Sequence, residues 1–463
     1  MKYDSKINSE AVKVFKRKIQ QKLIERSSKE KHHPLIVSGL RQVGKTTSVF
    51  EFAKNYKKNV VYIDFRENKN AQLAFNGDFN IDEITTYLTA ILPNVKFIPY
   101  ETVIIFDEIQ DCQNARSSLK YFEIDGRYEV IATGSLLGVK GYHINDKSRG
   151  IPVGFEENVV MKAMDFEEFL WALGKSEELT NYLKDCYLRK RPINPGIYEE
   201  VRKLYLQYVV VGGMPEVVSD FVKNRNFQRT YLIQKNILSS MEADFGKHLL
   251  DDGSLKTNFK EKEVLEIVFN SIPNQLSSEN KKFMYSRIEG KISNSEYLKA
   301  LTWLEDYGLI VKSYNLKCLE LPLKANIIED QFKIYLADIG LLVAMNEQGT
   351  VKDILTDNLY IYKGAIFENL FAETFNKSNL DLYYYRKKNS TLEIDFISRR
   401  NGKVLPIEIK ATNGNSKSLK EVLANPIYEC DEGIKFYDGN VSKNDKYYSL
   451  PHFLSVFFKG EYE

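Results

Sequence analysis

The sequence predicts an α/β protein: a mostly parallel sheet with helices between its strands, then a helical region, then a second α/β unit at the C-terminus. Three observations predict it. Short apolar runs alternate with helical stretches between residues 35 and 135. A glycine loop sits directly after the first of those runs. Beyond residue 163 the pattern turns helical, and it returns to strand-like runs near the end. Apolar strands alternating with helices require crossover connections, which make neighbouring strands parallel and bury them on both faces.

The elements follow in order. Residues 8–28 carry Val12, Val14, Phe15, Ile19, Leu23 and Ile24 near helical spacing, so an amphipathic helix is expected. LIVSG (35–39) is a strand leading into the loop, and a helix runs from about Thr46 to Tyr56. VVYIDF (60–65), TVIIFDE (102–108) and EVIATGS (129–135) are further strands, with helices at 82–92 and 114–122 between them. MDFEEFLWALG and IYEEVRKLYLQYVV begin the helical region, broken at RKRPINPG and GGMPE. A helix near 295–307 with Ser295 as a candidate cap is followed by strands at 310–316 and 332–338, which is the pattern of a winged helix. GAIFENLFAETFNKS is helical, and DLYYYRKKN, TLEIDFIS and VLPIEIKAT are strand-like, the last two joined by the turn RRNGK. The implied domains are 1–160, 161–255, 256–345 and 346–463, which suits a chain of 463 residues.

Composition narrows the function classes. Hydrophobic residues make up 43% and charged residues 28%, an ordinary globular balance that argues against long disorder. The 65 basic residues nearly cancel the 63 acidic ones, leaving +2, so no whole-chain charge points to nucleic acid. Cys112, Cys186, Cys318 and Cys430 are scattered, which excludes a disulfide scaffold or a cysteine zinc site and fits a reducing compartment. The start lacks the apolar core of a signal peptide, and no apolar run approaches the ~20 residues of a membrane span. A soluble, cytoplasmic protein without membrane contact is expected.

Gly39-Leu40-Arg41-Gln42-Val43-Gly44-Lys45-Thr46, with Thr47 after it, matches the phosphate-loop pattern G-x-x-x-x-G-K-S/T in its required place between strand and helix. Gly39 and Gly44 let backbone N–H groups converge on phosphate oxygens, and the helix N-terminus adds a dipole that favours the anion. Lys45 would reach the β and γ phosphates, and Thr46 would offer its hydroxyl to Mg²⁺. Asp107 and Glu108 end an apolar strand, so both acids belong at its carboxyl end, where such sheets bind ligands. Asp107 would hold Mg²⁺ and Glu108 would orient or deprotonate an attacking water. Thr133 ends the next strand and would sense the γ-phosphate. Arg149 is the loop candidate for a trans-acting arginine finger.

A second group of charged residues lies near the C-terminus. Glu408 and Lys410 share one face of a strand, and Asp395 approaches that face if the RRNGK turn pairs the two strands. Ile394, Phe396, Ile407 and Ile409 would then point to the opposite, buried face. Glu368 on the preceding helix is a further carboxylate. Acids on adjacent strands can hold one or two divalent ions, and a lysine beside them can position water or neutralise developing charge.

The segments GLRQVGKTT, VIIFDEIQ, ATGSLLG, MDFEEFLWA, VVGGMPEVV, YLADIGLL, GAIFENLF, EIDF and PIEIK appear in that order. Together they resemble AAA-type ATPases of bacteria and archaea that carry a C-terminal domain of PD-(D/E)XK nuclease type. The resemblance implies ATP and Mg²⁺ as cofactors. It aligns Asp395, Glu408 and Lys410 with the D…ExK core and makes Glu368 the upstream helical acid, with Mg²⁺ or Mn²⁺ as a second divalent ion. One departure is Phe155 after Pro152-Val153-Gly154, where such proteins often carry an arginine. Nucleic acid is the expected partner, with Lys299, Lys312 and Lys317 as phosphate contacts of the winged helix. A non-cutting C-terminal binding domain in an ATP-dependent switch is the alternative, and homo-oligomerisation is left open.

Overall fold

The computed structural model describes residues 14–29, 32–139, 154–249, 255–278, 292–358, 363–412 and 414–462. The chain divides into two units. Unit 1 comprises Met1–Lys162, Asp244–Lys262 and Asp306–Gly308; unit 2 comprises Ala163–Ala243, Glu263–Glu305 and Leu309–Glu463.

Unit 1 is built on strands β1 (Leu35–Gly39), β2 (Asn59–Asp64), β3 (Thr102–Asp107), β4 (Glu129–Ser135) and β5 (Glu157–Val160). They form one sheet in the order β2-β3-β4-β1-β5, parallel at every pairing. β1 and β3 are buried at every position, as strands covered on both faces must be, and this is why they read as unbroken apolar runs. The helices Lys45–Tyr56, Ile81–Ile91 and Gln113–Asp125 fall where the spacing places them. The N-terminal helix spans Lys18–Ser27; the part of that expectation before residue 14 lies outside the described residues. Phe106 packs its ring 5.4 Å from Phe65, 5.5 Å from Phe75 and 5.8 Å from Phe122. This cluster anchors the end of β3 one residue before Asp107. Truncating such a ring costs about 3–5 kcal/mol. A short antiparallel pair, β6 (Lys247–Leu249) and β7 (Leu255–Thr257), also lies in unit 1.

Unit 2 carries an eight-stranded mixed sheet. Its strands are β8 (Ile310–Leu316), β9 (Ile327–Leu336), β10 (Tyr383–Arg386), β11 (Glu393–Arg400), β12 (Lys403–Lys410), β13 (Gly433–Tyr437), β14 (Ser442–Lys443) and β15 (Tyr447–Pro451). The order is β14-β15-β13-β12-β11-β10-β8-β9. β8 and β9 pair antiparallel after the helix Asn294–Tyr307, as a wing requires, but β8 also pairs parallel with β10. The hairpin is therefore the edge of the large sheet and not part of a free-standing module over 256–345. Lys312, one of the three lysines expected on phosphates, is bonded to Glu305 at 2.6 Å and largely covered; Lys299 and Lys317 are exposed.

The helix Lys363–Lys377 is buried along almost its whole length. An interior helix has few polar positions, and each must be satisfied. Asn369 meets this by accepting from Leu336 N at 2.7 Å and donating to Leu336 O at 3.1 Å, which fastens β9 to the helix. Two other signature segments have structural roles of the same kind. Gly213 of GGMPE donates to Asp338 of YLADIGLL at 2.7 Å, and a Cβ on Gly213 would meet Met164 O at 2.0 Å.

Candidate functional sites

In unit 1 the loop between β1 and the helix Lys45–Tyr56 closes tightly. Gly44 caps that helix at φ +89°, a left-handed conformation that disfavours a side chain. A Cβ on Gly39 would stand 2.2 Å from Met161 O. Leu40 and Val43 are buried, so the apolar loop side chains turn inward. Buried Arg17, a residue with no motif around it, donates to Val43 O at 2.8 Å and Lys162 O at 2.7 Å and holds the loop from beneath. Arg41 pairs with Asp244, which also accepts the Tyr307 hydroxyl at 2.9 Å. Gln42 takes a positive φ of 64°.

Lys45 Nζ donates to Gly39 O at 3.1 Å and Leu40 O at 3.0 Å. Burial pushes its ammonium down to about 8, with Glu108 and Asp107 pulling the other way. Thr46 Oγ1 donates to Asp107 Oδ1 at 2.9 Å, and the Thr133 hydroxyl donates to the same oxygen. Tyr62, absent from the sequence-derived set, donates to Asp107 Oδ2 at 2.6 Å. Lys45, Thr46, Asp107, Glu108 and Thr133 are thus brought together at the carboxyl ends of β1, β3 and β4. Glu108 follows β3 at φ +54°, and its Oε2 accepts from Arg66 Nη2 at 3.2 Å and from Gln110. Arg149, with Pro152 and Val153, lies outside the described residues.

In unit 2 the ladder pairs Phe396 with Ile407, the chain neighbours of Asp395 and Glu408. Asp395 Oδ2 accepts from Ile409 N at 2.8 Å, and Lys410 Nζ lies 2.7 Å from Glu408 Oε1. Among the described residues the buried Glu408 Oε2 has no hydrogen-bond partner. Burial would lower the Lys410 ammonium, but the bond to Glu408 and the charge of Asp395 hold it above its ordinary value. The expected alternation fails at one place. Tyr383 pairs with Ile397 and Tyr385 with Ile394, so Asp395 and Phe396 together oppose Tyr384: a β-bulge. Phe396 consequently packs on the helix side, 5.4 Å from Phe375, and does not share a cluster with Ile394. Ile409 is only half-buried.

The residue that sequence reasoning missed here is Lys333 on β9. Its Nζ lies 2.8 Å from Glu368 Oε1 and 2.7 Å from Glu393 Oε1, and Tyr335 donates to the same Glu368 oxygen at 2.6 Å. Burial alone would strip its proton; Glu368, Glu393 and Asp395 outweigh burial and raise its pKa. The signal was a lysine and a tyrosine alternating with apolar residues in FKIYL, which put both on one face. Glu368 is therefore engaged by Lys333 and Tyr335. Among the described residues no group of three or more His, Cys, Asp or Glu side chains is placed to hold a metal ion.

A glycine loop from strand to helix, with a lysine, a threonine and a buried aspartate converging beyond it, defines a P-loop nucleotide-binding domain. Residues 31–170 match the family profile described as AAA domain, which supports an AAA-type P-loop ATPase domain over that stretch. Residues 202–352 and 363–453 match two profiles described as domains of unknown function, DUF8612 and DUF4143. Among solved structures, the chain is similar to the Thermotoga maritima RuvB Holliday junction branch migration motor at 12% identity, covering 64% of this chain and 89% of that chain, with a TM-score of 0.27. Two substituted forms of that motor match over the same shares at 12% identity, with TM-scores of 0.29 and 0.28. No curated protein matches the chain. Among the described residues no helix is long and apolar enough to cross a membrane.

The donor set of unit 1 fits ATP with Mg²⁺. A half-desolvated ammonium and a helix N-terminus suit a triphosphate, and a hydroxyl beside a buried carboxylate suits a hard cation. When bound, Mg²⁺ would neutralise charge on the β and γ phosphate oxygens.

Proposed function

We propose that the chain is an Mg²⁺-dependent ATP hydrolase that acts on nucleic acid through unit 2. The convergence of Thr46 and Thr133 on Asp107, with Glu108 next in the chain, carries the hydrolysis reading. In this reading the Gly39–Thr47 backbone cradles the phosphates and Lys45 spans the β and γ groups. Thr46 and Asp107 hold the metal, Thr133 faces the γ-phosphate, and Glu108 takes the proton of the attacking water. The four cysteines are all unpaired, which supports a reducing, cytoplasmic setting.

For unit 2 the proposal is binding of a nucleic-acid backbone, with exposed Lys299 and Lys317 as phosphate contacts. Binding should weaken steeply with salt, because phosphate contacts release counterions. The engagement of Glu368 by Lys333 favours the non-cutting form of the domain. One observation favours cleavage instead: among the described residues the buried Oε2 of Glu408 has no hydrogen-bond partner, and Lys410 of the same strand lies 2.7 Å from its Oε1. Labelled DNA and RNA, titrated at low salt in EDTA and then incubated with Mg²⁺ or Mn²⁺, separate the two. Cleavage lost in Asp395→Ala would support the nuclease reading; binding without cleavage supports the proposal. No association with any nucleic acid at low salt overturns both.

A further inference from the structure

We infer that the Lys333 ammonium is the resident cation of the carboxylate cluster in unit 2, standing where a divalent metal would have to reach Glu368. The inference concerns the same cluster as the nucleic-acid proposal but rests on its own geometry. Lys333 is fully buried, and its charge is shared between Glu368 and Glu393 at 2.8 and 2.7 Å. Its Nζ also lies 4.7 Å from the centre of the Tyr384 ring, whose face favours a cation. The Glu368 oxygen that meets Lys333 also accepts from Tyr335, so two donors already occupy Oε1.

Charge accounting points the same way. The cluster holds four carboxylates: Glu368, Glu393, Asp395 and Glu408. Lys333 answers the first two, Arg386 lies 3.6 Å from Glu393, Lys410 lies 2.7 Å from Glu408, and Lys435 feels the Glu408 charge. Among the described residues Glu368, Glu393 and Glu408 thus each have a cation against them, and a divalent ion added beside those cations would meet their repulsion. A metal-binding arrangement of the same acids would need Lys333 removed, which would leave one more net negative charge shared by Glu368 and Glu393. The bulge in β11 lies at Asp395 and Phe396, and Phe396 packs against the helix that carries Glu368.

The test is a Mn²⁺ titration of the nucleotide-free full-length chain, followed by the electron paramagnetic resonance of free Mn²⁺. The wild-type protein is expected to bind no Mn²⁺ in this cluster at up to roughly 1 mM. Lys333→Met should gain a Mn²⁺ site, and adding Glu368→Gln to it should abolish that site. Lys333→Met takes the 2.8 and 2.7 Å ammonium contacts from Glu368 and Glu393, so its fold is checked by circular dichroism. If it fails to fold, the wild-type arm decides. Wild-type Mn²⁺ binding that is lost in Glu368→Gln or Asp395→Asn overturns the inference, and so does a folded Lys333→Met protein that gains no site. Nucleic-acid association is read separately in EDTA, so failure of that reading leaves this result untouched.

Discussion

Thr46 and Asp107, 61 residues apart, meet through a 2.9 Å hydrogen bond that ties the phosphate loop to the end of β3. Asp107 is almost fully buried and accepts three hydroxyls, from Thr46, Thr133 and Tyr62. Donors so placed can turn toward a metal or water without moving the backbone. Thr46→Val removes the hydroxyl and keeps the shape. It should leave the melting temperature nearly unchanged and lower Mg²⁺-dependent turnover by about tenfold or more, the scale for a lost contact at a metal site. Steady-state kinetics across Mg²⁺ concentrations check this, and unchanged Mg²⁺ dependence would remove Thr46 from the site.

Lys45 sets a pH dependence. Its folded value of about 8 lies below the ordinary 10.5, so between those values the unfolded chain binds more protons. Stability of the nucleotide-free protein should therefore rise with pH across that window, and the penalty is fully present below about 8. A triphosphate favours the charged lysine, so ATP affinity should fall as pH climbs through the same window. Calorimetric titrations near pH 8.5 in two buffers of different ionisation enthalpy should show proton uptake on binding. Proton release would contradict the assignment.

Arg17 holds the loop through two carbonyls, Val43 O and Lys162 O. Arg17→Met should destabilise unit 1 by about 2–3 kcal/mol, the scale of buried charge-assisted hydrogen bonds. ATP affinity should fall with it. Thermal unfolding with and without ATP checks both, and full ATP affinity in a folded variant would show that the loop stands without this support.

Much of unit 1 was legible because a phosphate loop needs particular residues at fixed spacing and a buried parallel strand leaves an apolar run. Arg17, Tyr62 and Arg66 were not, since each acts on a partner far along the chain and carries no local pattern. In unit 2 the pairing of β11 with β12 followed from alternation and the RRNGK turn. The bulge at Asp395 and Phe396 did not, because one extra residue in a ladder leaves no mark on composition. Lys333 was legible only in part: its face could be read, but not that Glu368 would lie opposite it. Two strands near 310–316 and 332–338 were legible, but the pairing of the first with β10 depends on residues some 70 positions further on.

The separation of binding from hydrolysis tests the nucleotide site most directly. ATP turnover should be measured for the wild-type chain, Lys45→Ala and Glu108→Gln, alongside ATP binding for each. The wild type should hydrolyse ATP with Mg²⁺. Lys45→Ala should lose binding, because the ammonium that donates to the Gly39 and Leu40 carbonyls is gone. Glu108→Gln should bind ATP and fail to turn it over, since an amide cannot take up the proton of water. Undiminished turnover in Glu108→Gln, or in Lys45→Ala, would contradict the account.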